Sequence, residues 1–297
     1  MTPPTSRKDL PRISIVTPSF NHAAFLEETI RSVLDQNYPN LEYVIIDGGS
    51  SDGSVEIIRK YESRLAFWVS EPDKGQYDAI NKGFSHTTGD IMAWLNSDDK
   101  YLPWTFTTIA DLFSQFPQIE WLTSVFHCFW DGRGRFVRCE AHDGFSRTLV
   151  IKGGALPGCG WYAPAFVQQE STFWRRSVWN KTGATIDVSY SLAADFDFWM
   201  RLAREAELYC VEVPLAGFRR HKSQKTANHM TEYLRQARES FVARGGRPAG
   251  MLKNFWLKKS AKLLRYLNRR HAIACAQQGN RNRAVLNADT GRWELTG

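Results

Sequence analysis

The chain has 297 residues, of which 43% are hydrophobic and 23% charged, an ordinary globular usage that argues against wholesale disorder. That length suffices for one large α/β domain with an appendage or for two modest domains, and no apolar run approaches the roughly 18 residues of a membrane span. The formal net charge of +7 suits nucleic acid, anionic lipid or phosphorylated small molecules. Five scattered cysteines (Cys128, Cys139, Cys159, Cys210, Cys275) lack the spacing of a zinc site, so a reducing compartment is the simpler reading. Met1 to Pro11 carry Arg7, Lys8 and Asp9 without an apolar core, and are read as a flexible N-terminus rather than a secretory signal.

In chain order, Ile13-Ser14-Ile15-Val16 reads as a strand, and Leu26, Ile30, Val33 and Leu34 recur at helical spacing before Asn37-Tyr38-Pro39-Asn40 breaks the pattern. Tyr43-Val44-Ile45-Ile46 is a second strand, Val55, Ile57 and Ile58 start another helix, and Ala66-Phe67-Trp68-Val69 is a third strand. A helix through Ala79, Ile80 and Phe84 then precedes the strand Ile91 to Leu95. This β-α-β alternation predicts an α/β fold with a mostly parallel sheet flanked by helices. Beyond Pro103 come a helix reaching Phe116, a strand Trp121 to Phe126, a hairpin turn at Asp131-Gly132-Arg133-Gly134 and a long Gly- and Pro-rich loop, Gly153 to Pro164. A helix over Phe196 to Ala203 and a last strand, Leu208 to Val213, lead to Phe218-Arg219-Arg220-His221.

From Gly250 to His271 the character changes: Lys253, Lys258, Lys259, Lys262, Arg265, Arg269 and Arg270 appear with no acidic residue, while Leu252, Trp256, Leu263 and Leu267 share one helical face. Such a basic amphipathic helix either lies on an anionic membrane surface or packs its apolar face on the domain and leaves its lysines in water. The basic excess has neither an aromatic-interleaved sheet motif nor a recognition-helix signature, so no nucleic-acid partner is expected.

The chemistry concentrates where strands end. Thr17-Pro18-Ser19-Phe20-Asn21, Asp47 to Asp52, Asp73-Lys74-Gly75 and Asn96-Ser97-Asp98-Asp99 each turn polar straight after an apolar run. Helix capping explains any one of them, but four at one edge of a sheet favour a shared ligand cleft. Hard oxygens at such an edge suit Mg²⁺ or Mn²⁺ bound to a diphosphate. Neither a G-x-G-x-x-G nor a G-x-x-x-x-G-K-[ST] motif occurs, which disfavours a dinucleotide oxidoreductase and a P-loop NTPase.

Together, Ile13 to Asn21, the loop Asp47-Gly48-Gly49-Ser50-Ser51-Asp52-Gly53 and Leu95-Asn96-Ser97-Asp98-Asp99 resemble family-two glycosyltransferases of the GT-A fold, over residues 12 to 222. The resemblance implies a nucleotide-binding half (12–100), an acceptor half (101–222) and a basic helical C-terminal extension (223–297). It also implies a cytoplasmic, inverting, hexosyltransferase-type enzyme that uses Mn²⁺ or Mg²⁺, with peripheral attachment to the cell membrane left open. The donor would be a UDP-, GDP- or dTDP-sugar, and the acceptor a saccharide or a lipid-linked molecule in polysaccharide or glycolipid synthesis.

Carried over by position, Asp47 would accept a hydrogen bond from the base, with Thr17, Pro18 and Ser19 walling it and Asn21 beside them. Asp78 would face the nucleotide or sugar, and Lys74 would offset phosphate charge unless it is simply a solvated loop lysine. Asp98 would bind the metal, Asp99 would support the metal or the donor sugar, and His221 would add an imidazole unless it is a surface histidine. Asn96, where relatives carry an acid, would hydrogen-bond ribose or diphosphate. An inverting transferase needs a carboxylate to take the acceptor proton, and Asp195 matches the family's acid-rich helix start. Asp197, two residues on, points about 200° away and is assigned structural bonds. Gln169, Glu170, Trp161 and Trp174 are candidate acceptor contacts, although most of the chain's 11 Trp must be core. A sugar-nucleotide nucleotidyltransferase and a non-catalytic nucleotide-sugar binding module are the alternatives.

Overall fold

The computed structural model describes residues 10–142, 144–153, 166–222, 224–247 and 282–296. Its first part alternates without interruption: β1 (Ile13–Ser19), α1 (Ala23–Leu34), β2 (Leu41–Asp47), α2 (Ser54–Tyr61), β3 (Phe67–Ser70), α3 (Gln76–Ser85) and β4 (Ile91–Trp94). There follow β5 (Lys100–Tyr101), α4 (Thr105–Gln115), β6 (Trp121–Ser124), the hairpin of β7 (Phe126–Trp130) and β8 (Phe136–Ala141), and α5 (Arg147–Ile151). The remainder comprises β9 (Thr172–Arg175), α6 (Arg176–Lys181), α7 (Ala194–Glu205), β10 (Leu208–Val211), β11 (Ala216–Arg219), α8 (Lys225–Asn228), α9 (Met230–Ala243), β12 (Arg283–Asn287) and β13 (Arg292–Thr296).

Nine strands form one sheet in the order β13-β12-β10-β6-β9-β4-β1-β2-β3, in which β9 and β13 run against the rest. Every residue of β1 is buried, because helices cover both faces of this central strand. The helix α3 lies so close that a Cβ on Gly83 would meet Val16 Cγ1 at 2.4 Å, and only glycine fits there. Register sets Ser19 beside Asp47 and Asp47 beside Ser70, so the polar ends of β1, β2 and β3 share one edge, joined by the segment after β4. A smaller sheet, β5-β11-β7-β8, stands next to that edge and carries residues 216–219 to it.

Beneath the edge lies an aromatic cluster. Trp94 stacks on Trp199 at 5.8 Å and 6°, Trp199 stacks on Trp121 at 5.9 Å, and Trp174 meets Trp94 and Phe198 edge-on at 5.4 and 5.0 Å. Each such pair contributes on the order of 1 kcal/mol beyond its buried area. The cluster clamps α7 against β4, which sets the spacing between the residues at their ends. Trp174 is therefore a core residue with no exposed surface and not an acceptor contact. Trp161, most of the Gly153 to Pro164 loop, the basic stretch 250–271 and the first nine residues lie outside the described residues.

The expected helical extension is corrected in two ways. Helices α8 and α9 are present, but residues 283–296 form the hairpin β12–β13, and β12 pairs in parallel with β10 to widen the main sheet. Residue 222 is therefore no boundary in the packing. Among the described residues, no helix is long and apolar enough to cross a membrane.

Candidate active site

The loops after β1 and β2 are stitched together. Asn21, at φ 52°, accepts from the Ser51 N–H through Oδ1 at 2.9 Å, and its own N–H donates to Ser50 Oγ at 2.8 Å. Asp52 Oδ2 takes the Ala23 N–H at 2.9 Å, at the start of α1. Asp47 ends β2 beneath its loop. It is fully buried, and its oxygens accept from the Gly49 and Ser50 N–H groups (3.1 and 2.9 Å) and from the Ser50 and Ser70 hydroxyls (2.6 and 2.7 Å). A carboxylate followed by Gly-Gly-Ser finds these donors close by, and Asp47 shapes the loop from below. Thr17 Oγ1 is likewise spent inside the sheet, 3.0 Å from Tyr43 OH. Pro18 and Ser19 close the buried strand, and Ser19 Oγ is a buried polar atom without a partner.

After β3, Asp73 Oδ1 accepts from the Gly75 N–H and Asp78 Oδ2 from the Lys74 N–H, at 2.7 and 3.1 Å. A Cβ on Gly48 would lie 2.8 Å from Asp73 Oδ2, so this turn depends on the missing side chain. Asp78 thus fastens the start of α3, and Lys74 is exposed on the turn. Gln76, which sequence reasoning passed over, donates to Asn96 Oδ1 at 2.7 Å and joins α3 to the segment after β4.

That segment separates its two acids. Asp98 Oδ2 lies 2.9 Å from His221 Nε2, so a strand-end carboxylate and an imidazole 123 positions later meet directly. Asp99 is instead 1% exposed, with Oδ1 accepting the Arg219 N–H at 2.8 Å and Oδ2 taking Asn96 Nδ2 at 3.4 Å. Asp99 thereby ties the segment after β4 to β11. Burial, reinforced by the charges of Asp98 and Glu170, pushes its carboxyl well above the usual range. Arg219 also donates from Nε to the Asp98 carbonyl at 2.6 Å and from Nη2 to Glu28 at 2.6 Å, and the His221 ring packs on Phe25 at 4.4 Å. Asp98 and His221 are therefore held from both sides. His22, also unforeseen, bonds Ser97 Oγ through Nδ1 at 2.7 Å.

A carboxylate and an imidazole are suitable donors for Mn²⁺ or Mg²⁺. Among the described residues no group of three or more His, Cys, Asp or Glu could hold a metal alone. The pair would hold a divalent cation only together with further oxygen donors from outside the described side chains.

Facing this pair is the short 3₁₀ turn Gln169–Ser171. Gln169 sends its amide N–H to the Trp94 carbonyl at 2.6 Å rather than toward a ligand, and its Oε1 has no partner. Glu170 is 2% exposed, and its Oε1 is also unpartnered. Burial raises its carboxyl to about 8, and the charges of Asp98 and Asp195 add to the rise. Glu170 thus lies within electrostatic reach of both acids. Asp195, at the start of α7, accepts the Phe196 N–H at 2.7 Å, and burial raises it to about 6. Asp197 has no exposed surface and is bonded to Arg201, Ser240 and Arg244, as its helical position implied.

An open sheet with polar strand ends, a carboxylate–imidazole pair and a second carboxylate within electrostatic reach of the same buried Glu170 is an arrangement suited to group transfer. The model for glycosyl transferase family 2 matches residues 14–163, half of the chain, and the chain belongs to that family. It is a glycosyltransferase, which sets aside the nucleotidyltransferase and binding-module alternatives. The uncharacterized glycosyltransferase Rv1514c of Mycobacterium tuberculosis is 31% identical over 215 residues, covering 70% of this chain and 75% of that protein. The putative teichuronic acid biosynthesis glycosyltransferase TuaG of Bacillus subtilis is 38% identical over 94 residues, 31% of this chain and 37% of that protein. Mannosyltransferase PcManGT of Pyrobaculum calidifontis, solved with GDP-Man and Mn²⁺, shares the fold at a TM-score of 0.53 and 17% identity, over 92% of this chain and 86% of that one.

Proposed function

We propose that the enzyme moves a sugar from a nucleoside-diphosphate sugar to an acceptor hydroxyl with inversion at the anomeric carbon, in the synthesis of a polysaccharide or glycolipid. The observation that carries this reading is the Asp98–His221 contact, with the buried Glu170 in the field of both Asp98 and Asp195. A cation held by Asp98 and His221 would offset the negative charge that develops on the departing nucleoside diphosphate. The name of TuaG supports a polysaccharide product, and the GDP-Man and Mn²⁺ of PcManGT support a nucleotide-sugar donor and a divalent metal.

Asp195 does the proton work. The Phe196 N–H donates to Oδ1, and a carboxyl raised to about 6 is still ionised at neutral pH yet basic enough to accept a proton from a hydroxyl. As the acceptor oxygen bonds to the anomeric carbon, its proton passes to Asp195 while the bond to the diphosphate breaks on the opposite face. Glu170, neutral below about 8, adds no second negative charge beside the leaving group and keeps a hydroxyl to donate. Ser19 Oγ, Gln169 Oε1, Glu170 Oε1 and Ser171 Oγ are among the buried polar atoms without a partner and are available to a ligand.

Calorimetric titration of UDP and GDP with and without Mn²⁺ tests the metal part. Wild type should bind one of them about tenfold more tightly with Mn²⁺, a gain of about 1.4 kcal/mol, and Asp98→Ala should lose that gain. Equal binding of both nucleotides with and without the metal would overturn it.

A further inference from the structure

Helix α9 lies beyond the stretch matched by the family model and beyond the boundary expected at residue 222. Three of its polar side chains, Tyr233, Gln236 and Ser240, recur at spacings of three and four and so share one face, which Arg244 at the C-cap continues. Tyr233, Gln236 and Ser240 expose 5%, 6% and 0% of their surface. A buried polar group destabilises the fold unless it is bonded, so the partners of this stripe show what it is for.

Each member reaches the start of α7. Gln236 Oε1 accepts the N–H groups of Leu192 and Ala193 at 2.9 and 3.4 Å, and its Nε2 donates to Ser191 Oγ at 3.0 Å. Ser240 Oγ donates to Asp197 Oδ1 at 2.7 Å, and Arg244 donates from Nε and Nη2 to the two Asp197 oxygens at 3.0 and 3.1 Å. Between these anchors, Tyr233 OH lies 3.4 and 3.5 Å from the two oxygens of Asp195. The stripe thus grips the residues on both sides of Asp195, and its tyrosine meets the carboxylate itself.

We infer that α9 is part of the catalytic machinery and that Tyr233 is the positioning residue that fixes the plane of the Asp195 carboxylate. This rests on the reading of Asp195 as the base. The backbone N–H groups that reach this carboxylate, from Phe196 to Oδ1 at 2.7 Å and from Asp195 itself, hold it from the helix side alone. The Tyr233 hydroxyl, 3.4 and 3.5 Å from the two oxygens, adds a side-chain restraint on that carboxylate. Tyr77, which faces Asp195 from α3, has its own hydroxyl committed to the Leu192 carbonyl at 2.9 Å. Glu170 faces it from the turn before β9, and Phe166 packs edge-on against the Tyr233 ring at 5.6 Å. Among the described residues, Tyr233 is the side-chain donor to Asp195.

The test uses the full-length protein and Tyr233→Phe, which keeps the ring and removes one oxygen. In protein labelled with ¹³C at the aspartate carboxyl, the Asp195 resonance, assigned by its loss in Asp195→Asn, titrates near 6 in wild type. Since the hydroxyl favours the charged form, the variant's midpoint should rise by about half a unit. Ser240→Ala, another member of the stripe that acts at Asp197, should lower the melting temperature and leave that midpoint in place. Hydrolysis of UDP-N-acetylglucosamine and GDP-mannose with Mn²⁺ gives the second readout: kcat should fall about tenfold with donor KM little changed, and its acid limb should follow the NMR midpoint. An Asp195 midpoint that is the same in Tyr233→Phe and wild type overturns the inference whatever the rates do. A midpoint that moves while the kcat profile does not shows that Asp195 is not the base, and overturns the catalytic role of the stripe with it.

Discussion

Replacing Glu170 by Gln keeps the shape of the side chain and removes its proton equilibrium. In the folded chain the carboxyl stands at about 8 against an ordinary 4.5, chiefly through burial. Between those values the folded protein retains a proton that the unfolded chain has released. The stability linked to Glu170 is therefore whole below pH 4.5 and is lost as pH rises through 8. At about 1.4 kcal/mol per unit, complete ionisation costs on the order of 5 kcal/mol, an upper bound because water and side-chain movement relieve part of it. From pH 6 to pH 8 the loss is about 2 kcal/mol, enough to move a urea midpoint by roughly 1 M. The assay is urea unfolding followed by tryptophan fluorescence, in EDTA, at both pH values. Wild type should lose about 2 kcal/mol more than Glu170→Gln over that interval, since the other titrating groups are common to both proteins. Parallel losses would refute the claim that a buried, neutral carboxyl sits between Asp98 and Asp195.

Two further outcomes are expected. Asp197→Ala strands Arg201 and Arg244 and unties α7 from α9, and should cost about 3–5 kcal/mol in urea unfolding, whereas a loss below 1 kcal/mol would contradict the anchoring role. Gly48→Ala forces Asp73 away from the loop after β2; nucleotide affinity by calorimetry should drop about tenfold with the melting temperature nearly unchanged, and unchanged affinity would detach that turn from the site.

What could be read from the sequence was local. Strand–helix alternation followed from apolar periodicity, and the polar strand ends marked the sheet edge because only an abrupt change of character puts Asp98 after Leu95. The different fates of Asp195 and Asp197 followed from helix geometry. Contacts set by distant partners could not be read in this way. Nothing near Asp47 announces Ser70, and nothing near Asp99 announces the Arg219 N–H, so both carboxylates looked available when long-range donors had taken them. Trp174 could not be told from a sugar-stacking aromatic without the Trp94 and Trp199 rings around it. The hairpin β12–β13 and the buried stripe of α9 depend on β10 and α7, which lie far away in the chain.

The central claim is inverting transfer with Asp195 as base, and the most direct measurement is proton NMR of the sugar first released from an α-linked donor, GDP-mannose or UDP-N-acetylglucosamine, by enzyme with Mn²⁺. The account expects the β-anomer before mutarotation, at a rate that falls about a thousandfold in Asp195→Asn. Release of the α-anomer, or an Asp195→Asn enzyme that works near the wild-type rate, would contradict it.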